Sequence, residues 1–341
     1  MKKIYYITAV FATLFLVGCG DGIDLPGVNV ETDLNKIPLP DNNVNLEQVE
    51  LKPSTKPMLH EGLHTEEDFQ RIRDKKAAGE EPWVSAYQLL VESQFSQKTA
   101  DTYPTEWIKR GVSGDENYMN AARGATIAYQ QALRWKIEQD DEYAAKAVEN
   151  LNKWVQTCVG VTGNTNLSLA AGLYGYEFAI AGELLRDYEG WDRADFAAFQ
   201  NWLLKVFYPA NDDFLKRHHD TNPLHYWANW CLCNIAAKMA IGIVTDRRDI
   251  YNEGIGHLQT GDTNGRLRRA IYHDYAPDYN FAQWQESGRD QGHTLMCVGL
   301  MGIICQLAWS QGDDFFAYDD NLFMRACEYA ACCNYTNETV P

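Results

Sequence analysis

Positive charge is what this 341-residue chain has least of: Lys and Arg total 30 against 47 Asp and Glu, a formal net charge of −17. Binding nucleic acid needs clustered cations against the phosphate backbone, so a general nucleic-acid binder is excluded. Any cation that meets an anionic ligand here must be a local feature. Strand-type alternation of apolar and polar residues is almost absent, which argues against a β or α/β body. No fixed-length repeat of the tetratricopeptide kind recurs. Metal-site spacing is missing too. Of nine cysteines, Cys231-x-Cys233 and Cys332-Cys333 lack the spacing and partner histidines of a zinc site. Most of the others sit in apolar helical patterns, where a free thiol acts as a small hydrophobe. No metal and no cofactor is expected.

The apolar run at residues 4–17 is 14 residues long, too short to span a membrane. With Lys2 and Lys3 ahead of it and Leu16-Val17-Gly18-Cys19 behind, it reads as a lipoprotein signal peptide (1–18), cleaved before a lipidated Cys19. Residues 19–57 are rich in Pro, Asn and Asp and read as a flexible tether, with the folded domain at 58–341. The expected state is a monomeric exported lipoprotein, lipid-anchored in the membrane. Its expected place is the periplasm or the outer-membrane surface of a Gram-negative bacterium.

Apolar residues make up 45% and charged residues 23%, a globular profile. Ten Trp and nineteen Tyr exceed what a core alone needs and suit a cleft in which sugar rings stack on aromatic faces. From Thr65 onward the periodicity is helical. Thr65-Glu66-Glu67-Asp68 opens a helix with a capping threonine and an acidic first turn. Further helices are predicted at 81–97, 115–139, 141–159, 168–188, 193–207, 223–244, 248–258, 290–310 and 322–334. Helices of this length joined by short polar turns predict an all-α body. The architecture that fits is an α/α toroid, an incomplete barrel of about five to seven helix hairpins around a cleft.

Two segments concentrate polar groups. In His218-His219-Asp220-Thr221-Asn222-Pro223-Leu224-His225-Tyr226-Trp227-Ala228-Asn229-Trp230, Asn222 is a candidate N-cap before Pro223. On the predicted helix, Asn222, His225 and Asn229 would share one stripe beside Trp227 and Trp230. The second segment, Arg266-Leu267-Arg268-Arg269-Ala270-Ile271-Tyr272-His273-Asp274-Tyr275, gathers cations and tyrosines in an acidic chain. Arg268 and Arg269 there form a candidate anion site. A third cluster, Glu286-Ser287-Gly288-Arg289-Asp290-Gln291-Gly292-His293, opens a helix. It is either a capped terminus with a buried ion pair or a substrate-binding group with Arg289 on a carboxylate.

Asn222…Tyr226-Trp227-Ala228…Trp230, then Thr245-Asp246-Arg247-Arg248-Asp249, then Arg268…Ala270…Tyr272-His273-Asp274-Tyr275-Ala276 resembles the alginate lyase superfamily. Polysaccharide lyase family five carries an Asn-Asn-His-Ser-Tyr-Trp segment and a Tyr-His-Asn-Tyr segment whose last tyrosine is catalytic. The cluster from Glu286 to His293, the lipobox and the length are more similar to polysaccharide lyase family 38. This chain has Asn-Pro-Leu-His before Tyr-Trp, so His225 is offset by one residue from the family-five histidine, and the neutralising role falls to Asn222 or His225.

The resemblance implies β-elimination on a 4-linked polyuronate, an anionic polysaccharide. Alginate, poly-β-mannuronate first, or glucuronan is implied. The proton at C5 is weakly acidic while the adjacent carboxylate is ionised, so that carboxylate must be neutralised first. Asn222, His225, Asn229 and Arg268 or Arg269 are the candidates. Tyr275 is then the expected base and acid. Trp227, Trp230, Tyr272, His273, Glu286, Arg289 and His293, with Asn229, are expected to bind substrate. Two other readings stay open. A toroid glycoside hydrolase would need two carboxylates about 5–9.5 Å apart, from Asp274, Asp278, Glu286 and Asp290. A non-catalytic glycan-binding surface lipoprotein would need only aromatic platforms.

Overall fold

The computed structural model describes residues 55–335. The expected signal peptide, Cys19 and nearly all of the expected tether lie outside the described residues. Among the described residues twelve α-helices and four short strands follow in order: α1 (Glu66–Ala77), α2 (Trp83–Glu92), β1 (Trp107–Arg110), α3 (Tyr118–Glu138), α4 (Asp141–Thr157), β2 (Gly160–Gly163), α5 (Leu167–Leu184), α6 (Arg193–Val206), α7 (Tyr208–Arg217), α8 (Ala228–Val244), α9 (Arg248–Thr260), α10 (Leu267–Ala270), β3 (Ile271–Asp274), β4 (Ala282–Trp284), α11 (Gln291–Ser310) and α12 (Tyr318–Tyr335). The body is an all-α toroid, as the periodicity predicts. The predicted capping box is present, with Thr65 Oγ1 accepting from Asp68 N and the Asp68 carboxylate accepting from Thr65 N.

Helices α3, α5, α8 and α11 pack each on the next and form the inner wall. Between them the chain returns through α4, through α6 and α7, and through α9. Because each inner helix is reached by an antiparallel return, all four point the same way. Their N-termini at Tyr118, Leu167, Ala228 and Gln291 therefore gather at one end of the ring. The core follows from composition: α5 and α8 are apolar nearly all round and buried nearly all round, which suits helices walled in on both sides. Trp154, Phe178, Trp202 and Phe207 interlock beneath α5, with ring centroids 5.1 to 5.3 Å apart in successive pairs.

The opposite end is crossed by the segment before α1. Gln311 accepts from Leu59 N at 2.9 Å and donates to the carbonyls of Leu59 at 3.0 Å and Glu61 at 2.7 Å. A cavity of about 250 Å³ lies there, lined by His60, His64, Glu183 and neighbours.

Three features depart from the sequence reading. The helix predicted at 223–244 begins only at Ala228, α7 adds a helix at Tyr208–Arg217, and two small sheets exist. β1 and β2 pair in parallel, and Arg110 faces Gly163 across that pair. Gly163 sits at φ +145°, and a Cβ there would come within 1.7 Å of the Arg110 carbonyl oxygen. β3 and β4 form an antiparallel hairpin with a register irregularity between Ile271 and His273.

Candidate active site

The β3–β4 hairpin is where the tyrosine block lands. In a regular strand alternate side chains share a face, so Tyr272 and Tyr275 would diverge. The irregularity near Tyr272 and the end of the strand at Asp274 break that alternation. Both hydroxyls then reach one side chain on β4: Gln283 Oε1 accepts from Tyr275 at 2.8 Å and from Tyr272 at 3.4 Å. Tyr329 of α12 stacks on Tyr275 with centroids 5.8 Å apart and planes 10° off parallel. Burial first, then the neighbouring Tyr275, pushes the hydroxyls of Tyr272 and Tyr329 upward in pKa. His273 is exposed, its ring 4.4 Å from that of Tyr275.

The chain leaving β4 ties this hairpin to the first motif. Gln285 Oε1 accepts from Ala228 N at 2.8 Å, and Glu286 Oε1 accepts from Asn229 N at 3.1 Å and from Asn229 Nδ2. Helix α8 is thus capped by side chains 57 residues away. Upstream, Asn264 Nδ2 donates to the carbonyls of Leu224 at 3.0 Å and Tyr226 at 2.8 Å, holding that stretch out of the helix.

This corrects the expected stripe. Asn222 and His225 lie in an exposed turn before α8. Asn222 Oδ1 accepts from Leu224 N at 2.9 Å, and His225 N donates to the Asn222 carbonyl at 2.8 Å. Asn229 alone is on the helix, 2% exposed, and its amide is spent on Glu286, which is 0% exposed. Asn229 and Glu286, expected to bind substrate, are therefore groups of the scaffold. Trp227 and Trp230 are partly open, and the Trp230 ring lies 4.7 Å from that of Tyr226.

The expected cations are also engaged. Arg268 pairs with Asp319, and Arg269 with Asp262 at 2.8 Å. Arg269 nonetheless keeps a buried Nε with no hydrogen-bond partner. Arg289 bonds Glu286 at 3.3 Å and lies 5.4 Å from the Trp227 ring centre, which keeps it at the first motif. Asp290 caps α11 through His293 N and holds His293 Nδ1 at 2.6 Å. Burial raises the Asp290 carboxyl's pKa, but the two bonds from His293 outweigh it and hold it below the usual range. Asp274 is likewise raised by burial and held down by Arg325. Of the carboxylates a hydrolase would need, Asp274, Glu286 and Asp290 are thus each committed to a partner.

Four groups escaped the sequence reading as site residues. Gln283 and Tyr329 flank Tyr275. His219 Nε2 lies 3.0 Å from Ser168 Oγ at the start of α5, its ring 5.8 Å from Tyr226 and its backbone at φ +52°. Arg110 on β1 lies with its guanidinium 4.6 Å from the Tyr118 ring centre. Only His219, inside the polar run before Asn222, carried a signal in the sequence. Among the described residues no group of three or more His, Cys, Asp or Glu could hold a metal.

Solved structures share the toroid fold. A tyrosine-to-phenylalanine variant of alginate lyase A1-III complexed with a tetrasaccharide superposes with a TM-score of 0.60 at 13% identity, covering 83% of this chain and 81% of that one. Alginate lyase A1-III from Sphingomonas species A1 gives 0.57 at 14% identity, over 81% and 80%. An alginate lyase from Bacteroides ovatus gives 0.53 at 14% identity, over 79% and 82%. The family model described as alginate lyase matches residues 72–338. The chain belongs to the alginate lyase family and is a polysaccharide lyase. No curated protein matches it by sequence.

Proposed function

We propose that this lyase cleaves a 4-linked polyuronate by β-elimination with Tyr275 as the proton-transferring group, and that poly-β-mannuronate is its first substrate, ahead of glucuronan. The observation that carries the reading is the Tyr275 hydroxyl, bonded to an uncharged amide at 2.8 Å in a hairpin joined through Gln285 and Glu286 to α8. The phenolate takes the C5 proton, the C4–O4 bond breaks, and the same phenol returns a proton to the leaving O4. One group suffices where the C5 hydrogen and the C4–O4 bond share a face, as in β-mannuronate and β-glucuronate. Exposed Asn222 and His225 fit donors to the substrate carboxylate, and Trp227 and Trp230 fit ring-stacking platforms. Likeness to alginate lyases supports the substrate class. The lipobox supports an exported, Cys19-anchored protein. The test is a panel of polymannuronate, polyguluronate and glucuronan read by ultraviolet absorbance of the unsaturated uronate product. Absorbance rising fastest on polymannuronate supports the reading; no rise on any of them overturns it.

A further inference from the structure

Helix α12 packs against the tyrosine hairpin, and two contacts fix how it lies there. Arg325, 5% exposed, meets Asp274 in a fork, with Nη2 donating to Oδ2 at 2.9 Å and Nη1 donating to Oδ1. Trp284 Nε1 on β4 donates to the Ala326 carbonyl at 3.1 Å. A two-bond arginine–carboxylate pair fixes orientation as well as distance. Residues four apart on a helix share a face, so Tyr329 falls one turn beyond Arg325 on the side that meets the hairpin. Tyr275 follows Asp274, the last residue of β3. The Arg325–Asp274 clamp thus sets Tyr329 against Tyr275, and their rings lie 10° from parallel with centroids 5.8 Å apart. Phe281 packs edge-on against Tyr329 at 6.0 Å.

The two phenols sit in different surroundings. Tyr329 is 6% exposed, whereas Tyr275 is partly open. Burial first, then the neighbouring Tyr275, pushes the Tyr329 hydroxyl upward, and that hydroxyl is within hydrogen-bonding reach of the Tyr275 hydroxyl. Tyr329 therefore keeps its proton at neutral pH and serves as a fixed donor. Tyr275 spends its own proton on Gln283 Oε1 at 2.8 Å, which leaves its oxygen free to accept. The other titratable groups around the pair are Tyr272 and His273 on β3 and Cys333, one turn beyond Tyr329 on α12. Asp274 is neutralised by Arg325. Neighbouring groups held in different protonation states by their surroundings can divide the work of proton transfer between them.

We infer that Tyr329 is a positioning residue for the elimination: its hydroxyl donates to the Tyr275 oxygen and stabilises the phenolate that takes the C5 proton. The inference rests on the lyase reading with Tyr275 as base. The C5 proton moves to Tyr275 while the C5–H electron pair becomes the C4–C5 double bond and C4–O4 breaks. Tyr275 then gives that proton to O4. Tyr329 keeps its own proton throughout, so it ends the cycle as it began. A donor fixed in advance at the atom that carries the charge needs no rearrangement at the moment of reaction.

The experiment compares the full chain with Tyr329→Phe, which keeps the ring and its stack. Initial rates on polymannuronate and glucuronan are read by ultraviolet absorbance across pH, with melting temperature alongside. A hydrogen bond to a charged group is worth about one to two pH units, so the rising limb of kcat/KM should move to higher pH by that amount. Below the limb this is a fall of roughly 10- to 100-fold, and above it the two profiles should converge. A tyrosine that only packs would lower the melting temperature and cut the rate by one factor at every pH. A limb that overlays wild type, or a uniform fall, overturns the inference and leaves the lyase reading standing. If Tyr329→Phe does not fold, Tyr329→3-fluorotyrosine keeps the size and makes the phenol a stronger donor. The limb should then move to lower pH, and a limb that stays overturns the inference. No turnover by wild type on any polyuronate overturns the lyase reading instead, and ultraviolet titration of the tyrosines decides Tyr329 alone. The phenol that is missing from Tyr275→Phe should ionise at higher pH in Tyr329→Phe than in wild type, and overlaid titrations overturn the inference.

Discussion

Replacing Gln283 with Glu puts a carboxylate where a neutral amide now accepts from Tyr275 at 2.8 Å. The change is nearly isosteric, so the hairpin should keep its register. Unit charges at that spacing repel by roughly 1.5 kcal/mol in water and about 6 kcal/mol at an effective dielectric near 20. Gln283 is half-buried, so the water-like end of that range applies. Each ~1.4 kcal/mol is about one pH unit, so the phenolate should form roughly one to two pH units higher. The base must be deprotonated to act, so the rising limb of kcat/KM against pH should move to higher pH by that amount. A Gln283→Leu variant separates charge from positioning. It loses only a neutral hydrogen bond worth about 1 kcal/mol, and should lower kcat about fivefold with the limb unmoved. The assay is initial-rate ultraviolet absorbance across pH on the best polyuronate, with circular dichroism to confirm folding. A Gln283→Glu profile that overlays wild type would refute the reasoning, because the altered group would then not face the base.

Two stability predictions follow from other parts of the ring. Asn229→Ala leaves the buried Glu286 without a charge-assisted bond worth about 1.5–3 kcal/mol, so calorimetry should show a melting temperature lower by roughly 3–10 °C; a drop under about 1 °C would mean Glu286 does not depend on that amide. Glu177 on α5 has a buried Oε2 with no partner, and burial raises its carboxyl from the ordinary 4.5 to about 8. The folded chain therefore holds a proton the unfolded chain releases, so this stability is full below about pH 4.5 and lost as pH rises through about 8. Glu177→Gln should flatten the fall in melting temperature between about pH 4.5 and 8, and an unchanged slope would point to another group.

The helices were legible because their signals are local: apolar spacing, the Thr65 capping box, and acidic first turns. The start of α8 was not, because its caps Gln285 and Glu286 and its restraint Asn264 come from far along the chain. Asn222-Pro223 looked like a helix opening, yet tertiary bonds to the carbonyls of Leu224 and Tyr226 hold that stretch in a turn outside the helix. Tyr275 was legible as a motif, but its neighbours Gln283 and Tyr329 became visible only once β4 and α12 were folded against it. The pairing of the arginine run was illegible for a related reason. Sequence shows the density of cations but not which carboxylates neutralise them, and Asp319 lies 51 residues from Arg268.

The central claim is that Tyr275 moves the proton in a β-elimination, and Tyr275→Phe tests it most directly. Only the hydroxyl is lost, so the ring should still stack on Tyr329 and the fold should persist. Because the hydroxyl acts as both base and acid, kcat on the best polyuronate should fall at least ~10³-fold with KM little changed. A folded Tyr275→Phe protein that keeps more than about a tenth of wild-type turnover would contradict the account.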